Sequence, residues 1–82
     1  MTNADMELML TPWRNLANAI IEQAAKDYMR TLRKLKKQPT SERAKLEKAS
    51  IEKFFRSPWY EELTDVDGER LIRMLQKEIK RK

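Results

Sequence analysis

The sequence predicts an all-α protein: a long antiparallel helical hairpin closed by a third helix, which together make a three-helix bundle. The segments between its three prolines are rich in Ala, Leu, Lys, Glu, Arg, Gln and Met, and it contains a single glycine. These residues favour helices. No stretch alternates apolar and polar residues for long enough to predict a strand. At 82 residues the chain has the size of one domain with a small core.

The first helix is predicted to begin at Thr11-Pro12, because threonine is a good N-cap and proline is well tolerated at the first helical position. It extends to about Lys37, roughly 39 Å for about 26 residues. Its apolar residues recur with helical spacing: Trp13, Leu16, Ala17, Ile20, Ile21, Ala24, Tyr28, Leu32 and Leu35. Residues 1–11 are predicted to form an arm or a short helix, and residues 12–82 a single helical domain.

A second helix, a short helical segment and a last (third) helix are predicted after the break at Pro39. The second helix covers residues 41–56 with Thr40 as its N-cap, and its short connection to the first helix predicts an antiparallel hairpin. Ser57 is the predicted N-cap of a short helix over residues 58–63. The last helix covers residues 68–80. Its N-cap is predicted among three residues: Thr64, Asp65 and Asp67.

The stretch FFRSPWY, residues 54–60, holds four of the six aromatic residues of the chain. Aromatic side chains bury the largest areas, so a small core concentrates them where helices meet. Phe54, Phe55 and Trp59 are therefore predicted to lie in the core, with the two phenylalanines near residues 20–24. Tyr60 is left open between core and surface, because its hydroxyl needs a partner or water.

The length of the first helix predicts that one end of the molecule projects. A compact chain of this size has a radius of gyration near 12 Å and a diameter of roughly 30 Å. The first helix is longer than that, so its C-terminal end is expected to project, with only the second helix beside it.

The sequence lacks the residues that several classes of function require. It has no Cys and no His, and no glycine-rich phosphate loop. We therefore predict no enzymatic activity, no cofactor and no metal site. Asp65-x-Asp67-Gly68 is a poor match to a calcium loop, since Gln76 occupies the position that requires a bidentate Glu. No signal peptide or membrane span is predicted, and the expected location is the cytoplasm.

The net charge of +5 is unevenly distributed. Bases spaced for one helix face predict a surface that we call the basic ridge: Lys26, Arg30, Arg33, Lys34 and Lys37 on the first helix, with Arg43 on the second. The ridge has three possible interpretations: a solvated helix face, a surface that binds backbone phosphates, or a surface that binds an acidic protein.

Residues 58–69 contain five acids and no base. Acids at helix starts are favoured by the unpaired N–H groups there, so capping alone accounts for most of them. The alternative is a protein-binding surface, which we call the acidic corner: Tyr60, Glu61, Glu62 and Asp65.

The stretch FFRSPWYEELTDVDGERLI, residues 54–72, resembles a group of small helical proteins encoded by phages and prophages of Firmicutes, and residues 20–37 are also similar to theirs. The resemblance implies a phage-encoded accessory protein of the host cytoplasm. Such proteins often bind and block a host machine, including CRISPR effectors, or support replication on nucleic acid. We therefore expect an inhibitor that binds a host or defence-system protein. The alternative is a small basic nucleic-acid-binding protein, and a homodimer is also open.

Overall fold

A computed structural model describes the backbone of residues 3–81 and the side chains of residues 15–80. All regular secondary structure in this range is α-helical, which confirms the predicted all-α class. Four helices follow one another: α1 (Asn3–Lys37), α2 (Glu42–Phe55), α3 (Pro58–Leu63) and α4 (Gly68–Arg81).

Helix α1 begins at Asn3, so the predicted start at Thr11-Pro12 is wrong. Pro12 lacks the N–H that an interior helical residue donates to the preceding turn. The segment before it, MELML, consists of strong helix formers, and the helix continues on that side of the proline. The backbone of residues 3–11, predicted as an arm or a short helix, forms the first turns of α1.

The starts of the later helices are set by side-chain caps. Ser57 Oγ accepts the Tyr60 N–H at 3.2 Å, which confirms the predicted cap of α3. The N-cap of α4 is Asp67, one of the three residues predicted for it, and its Oδ1 accepts the Glu69 N–H at 3.3 Å. The cap of α2 is Ser41, whose Oγ accepts the Ala44 N–H at 3.3 Å, one residue after the predicted Thr40.

The direction of each helix follows from hydrogen bonds between helices. Tyr28 Oη donates to Glu52, and Thr31 Oγ1 donates to Glu47. The partners on α2 run in the opposite order to those on α1, so these two helices are antiparallel as predicted.

Helix α4 runs parallel to α1. Gln76 donates to Tyr28 Oη at 3.0 Å, and Lys36 Nζ donates to the Ile79 carbonyl at 3.5 Å. Helix α4 therefore extends from the end of α3 to the α1–α2 turn. Helices α1, α2 and α4 all contact one another.

This arrangement reverses the predicted projection. The turn is flanked by α4 as well as α2, so the C-terminal end of α1 does not project alone. The N-terminal half of α1 extends beyond the other helices instead, and Leu16 on it is 54% exposed. The molecule measures 56 × 24 × 17 Å, with a radius of gyration of 15.7 Å. The prediction failed because it expected only α2 beside the C-terminal end of α1, whereas α4 also lies there.

The core is an aromatic cluster where α1, α2, α3 and α4 meet. Tyr28, Phe55, Tyr60 and Ile72 are its buried members. The Phe55 ring lies edge-to-face against Tyr28 and against Tyr60, with centroids 5.9 and 5.7 Å apart. Phe54 packs against the cluster, as do Ile21 and Ala24. The predicted core role is confirmed for Phe55, whereas Phe54 is only partly buried and lines a surface groove with Ile20 and Ala24.

Trp59 was predicted in the core, but it is 52% exposed. Its neighbour Tyr60 is 1% exposed. The reason is the register of α3, which begins at Pro58 and buries Tyr60 and Leu63, three residues apart on one face. Trp59 is one residue earlier, so it points about 100° away from that face.

Candidate nucleic-acid interface and acidic corner

Every residue of the predicted basic ridge is exposed. Arg30, Arg33, Lys34 and Lys37 lie three or four residues apart on α1, so they share one face of that helix. Arg43 lies in the first turn of α2, just beyond the turn that joins the helices. The structure therefore brings the ridge together as the helical spacing predicted.

Ion pairs divide the ridge into two parts. Lys26 pairs with Glu22 at 3.3 Å, Arg30 with Asp27 at 3.9 Å, and Arg43 with Glu47 at 3.5 Å. Such exposed pairs contribute little stability but reduce the local positive charge. Arg33, Lys34 and Lys37 have no carboxylate within ion-pair distance among the described side chains. The unpaired charge of the ridge is therefore concentrated next to the turn.

Helix α4 adds bases to the same end of the molecule. Its last turns lie beside Lys36, as the hydrogen bond from Lys36 to Ile79 shows. Lys48 of α2 and Lys80 of α4 line one groove over Leu32. We define the basic end as the exposed bases of all three helices around the turn: Arg33, Lys34, Lys36, Lys37, Arg43, Lys45, Lys77 and Lys80.

A second basic groove follows α4 away from the turn. It is lined by Arg70, Arg73, Met74, Gln76, Lys77 and Lys80, with a volume of about 640 Å³. The ridge predicted from the sequence did not include the bases of α4. Six of the last 13 residues are basic, which was the available signal. The direction of α4, which the sequence did not reveal, decides where those bases lie.

The acidic corner is only partly a surface. Glu61, Glu62 and Asp65 are exposed, whereas Tyr60 is 1% exposed and its hydroxyl has no hydrogen-bond partner in the described part of the chain. The prediction that Tyr60 contacts a partner from the surface is therefore wrong. Its ring lies edge-to-face against Phe54 and Phe55, so Tyr60 is a buried member of the aromatic core.

Polar side chains connect three helices next to the core. Tyr28 Oη donates to Glu52 at 2.5 Å and accepts from Gln76 at 3.0 Å. Glu52 also pairs with Lys48 at 2.9 Å and with Arg56 at 3.7 Å. Burial and the hydrogen bond to Glu52 raise the pKa of Tyr28, so its hydroxyl stays protonated and acts as a donor. This network was not predicted, because its partners are 24 and 48 residues apart.

The network predicts a pH dependence of stability that centres on Glu52. Burial favours the neutral acid, but hydrogen bonds from Tyr28 and Lys48 and the charges of Lys48 and Arg56 outweigh it and lower the pKa of Glu52. A lowered pKa in the folded state stabilises the fold above the ordinary value of 4.5. This contribution is lost as the pH falls through the lower, folded-state pKa.

Glu52→Gln should therefore flatten the loss of stability on acidification. We expect the Tm of the variant to fall less than that of the wild type between about pH 6 and pH 3, because its neutral amide does not titrate. Glu22→Gln, which changes an exposed residue on α1, serves as the control. Equal slopes for Glu52→Gln and the wild type would contradict the assignment.

Among the described residues, no group of three or more His, Cys, Asp or Glu side chains is placed to hold a metal ion. Helices within the described range are also too short or too polar to cross a membrane.

Comparisons of the chain with protein-family models, with curated proteins and with solved structures produced no match. The function is therefore argued from the surfaces themselves.

Proposed function

We propose that this chain is a non-enzymatic binding protein whose basic end docks on the phosphate backbone of a nucleic acid. One observation carries the proposal: α4 runs parallel to α1, so the basic C-terminal turns of both helices flank the start of α2. The working unit in this proposal is a three-helix bundle of α1, α2 and α4. Its packed helices fix the backbone that carries these bases, so no helix has to be ordered on binding.

Phosphate binding suits the chemistry of the basic end. Lysine and arginine contacts to phosphates position a protein without reading bases. Trp59, the exposed aromatic side chain of the described range that could stack on a base, lies on α3, away from the turn. We therefore expect binding with little sequence preference and a strong dependence on salt.

Arg33→Gln combined with Lys34→Gln should weaken binding to a duplex DNA and reduce its salt dependence. If both residues contact phosphates, the slope of log K against log salt concentration should fall by roughly 1.8, because each lost contact removes about 0.9. Fluorescence anisotropy with a labelled duplex at several salt concentrations measures both quantities.

The control is Lys26→Gln combined with Lys53→Gln. It removes the same net charge from exposed residues away from the turn. A non-specific charge effect would lower the slope equally in both double variants, and would contradict docking through the basic end. Both double variants should keep the wild-type Tm, since all four side chains are exposed.

The second candidate is the inhibitor favoured from the sequence, a phage-type accessory protein that blocks a host or defence-system protein, as an anti-CRISPR protein does. The observation that favours it is the acidic corner, where exposed carboxylates lie next to Val66, which is 50% exposed. A mixed acidic and apolar surface suits a basic protein. Affinity capture from nuclease-treated host lysate tests it: a discrete protein partner, lost in the double variant Glu61→Gln and Asp65→Asn, is the expected result.

A further inference from the structure

An open apolar face lies on the N-terminal half of α1, where this helix extends beyond the others. Leu16 on it is 54% exposed, and Ile20, one turn further along, is only partly buried. Beside them lies a groove of about 450 Å³, whose lining comes from α1 and from one residue of α2: Ala19, Ile20, Gln23, Ala24, Asp27 and Phe54. Apolar residues that stay open along one helix face indicate a surface where another helix docks.

The sequence continues this face toward the N-terminus with the spacing of a coiled coil. Its positions are separated alternately by three and four residues, over roughly three heptads, the length at which such a pattern begins to indicate a coiled coil. The backbone of α1 is helical over all of them. Residues with this spacing form the line along which two helices interdigitate. We call this line the α1 seam: Met6, Met9, Trp13, Leu16, Ile20 and Gln23.

The α1 seam is complementary to a second copy of itself when the two helices run antiparallel. In one register Trp13 lies opposite the partner's Leu16, and Met9 lies opposite the partner's Ile20. Each of these pairs occurs twice, as two-fold symmetry requires. The outermost pair joins Met6 to the partner's Gln23, next to the groove beside Phe54. Methionine suits such an irregular gap, because its side chain is flexible.

Charges favour the same antiparallel register. Lys26 flanks the α1 seam on the side where this register brings the partner's Asp5, so the rim carries opposite charges. A parallel pair would instead place two basic ends side by side, in chains that each have a net charge of +5. The antiparallel pair separates the C-terminal ends of the two α1 helices by roughly 68 Å, at a rise of about 1.5 Å per residue.

We infer that two copies of this chain associate through the α1 seam as an antiparallel pair with two-fold symmetry. The interface is a short coiled coil of the N-terminal halves of α1, and each of its ends packs into the groove beside Phe54. The inference goes beyond both proposed functions and depends on neither, since the basic end and the acidic corner lie outside the α1 seam.

Sedimentation equilibrium over a dilution series tests the pairing, at raised salt and without nucleic acid. We expect the wild type to be a dimer that dissociates on dilution. Leu16→Glu should weaken the dimer by roughly 100-fold, a factor of about ten for each of the two carboxylates that it brings into the seam. The matched control is Leu46→Glu, which places the same charge at a leucine of α2 that is 71% exposed and outside the seam. Circular dichroism should show both variants folded, since both leucines are exposed.

A charge exchange separates a lost contact from a damaged fold. In the proposed register, residue 16 of each chain lies next to residue 16 of the other across the two-fold axis. Chains with Leu16→Glu and chains with Leu16→Lys should therefore form a dimer when they are mixed, although neither forms one alone.

A single spin label determines the direction of the pair. The chain has no cysteine, so Arg30→Cys provides one labelling site on the exposed surface of α1. The antiparallel register places the two labels roughly 46 Å apart along the helix axis, at about 1.5 Å per residue. A parallel pair would place them within about 20 Å, since packed helices lie about 8–10 Å apart.

The inference fails if the wild type stays monomeric at every concentration, or if Leu46→Glu weakens the dimer as much as Leu16→Glu does. A mixture of the two residue 16 variants that stays monomeric contradicts the proposed register, and a short distance between the labels contradicts the antiparallel direction. Association that requires added nucleic acid also overturns the inference, because the ligand then joins the two copies.

Discussion

Phe55→Ala should lower the free energy of unfolding by about 3–5 kcal/mol, the usual cost of truncating a buried phenylalanine. Phe55 is 1% exposed and lies between Tyr28, Phe54 and Tyr60. Removing its ring leaves a cavity at the point where all four helices meet. Since small domains have a total stability near the lower end of about 5–15 kcal/mol, we expect a large shift of the urea midpoint.

Trp59→Ala is the control for this prediction, and its expected cost is below about 1 kcal/mol. The two substitutions remove aromatic rings four residues apart, one buried (Phe55) and one exposed (Trp59). A loss for Trp59→Ala as large as for Phe55→Ala would mean that Trp59 packs in the core. A negligible loss for Phe55→Ala would contradict the observed cluster.

These two residues show what the sequence could and could not predict about the core. The density of aromatic residues over 54–60 correctly predicted where the helices meet. Which of the two side chains is buried, Trp59 or Tyr60, depends on the angle at which α3 leaves α2. That angle is set by Ser57, which donates to the Phe54 carbonyl and accepts the Tyr60 N–H, and apolar spacing does not encode it.

The same distinction applies to the candidate interface. The basic ridge could be predicted because its members lie on one helix, where spacing determines the face. The contribution of α4 could not, because it depends on the direction in which the chain leaves residues 64–67. There Thr64 accepts the Val66 N–H and Asp67 accepts the Glu69 N–H, and these local bonds start α4 toward the turn.

Gly68 is the residue on which this change of direction depends. It is the first residue of α4 and is buried against the end of α2. A Cβ at this position would lie 2.9 Å from the carbonyl carbon of Phe55 and closer still to its oxygen. Because the obstacle is backbone, no side-chain rotation can relieve the overlap. The absence of a side chain at residue 68 is what lets α4 begin in contact with α2.

Gly68→Ala should therefore destabilise the fold, although alanine is the better helix former. The gain in helix propensity is at most about 1 kcal/mol. Overpacking against a rigid neighbour costs about 1–3 kcal/mol and occasionally more, and a displaced α4 also loses its contacts with Tyr28 and Phe55. We expect a net loss of about 2–3 kcal/mol, which lowers the Tm by roughly 8–24 °C in a domain of this size.

Asp65→Ala provides the comparison, because it places the same side chain at an exposed loop position three residues earlier and should change the Tm by only a few degrees. A displaced α4 would also move Lys77 and Lys80 away from the α1–α2 turn. At temperatures where Gly68→Ala is still folded, its affinity for duplex DNA should therefore fall, although no basic residue has changed. Wild-type Tm and wild-type DNA affinity in Gly68→Ala would together show that the close approach of α4 to α2 does not position the basic end.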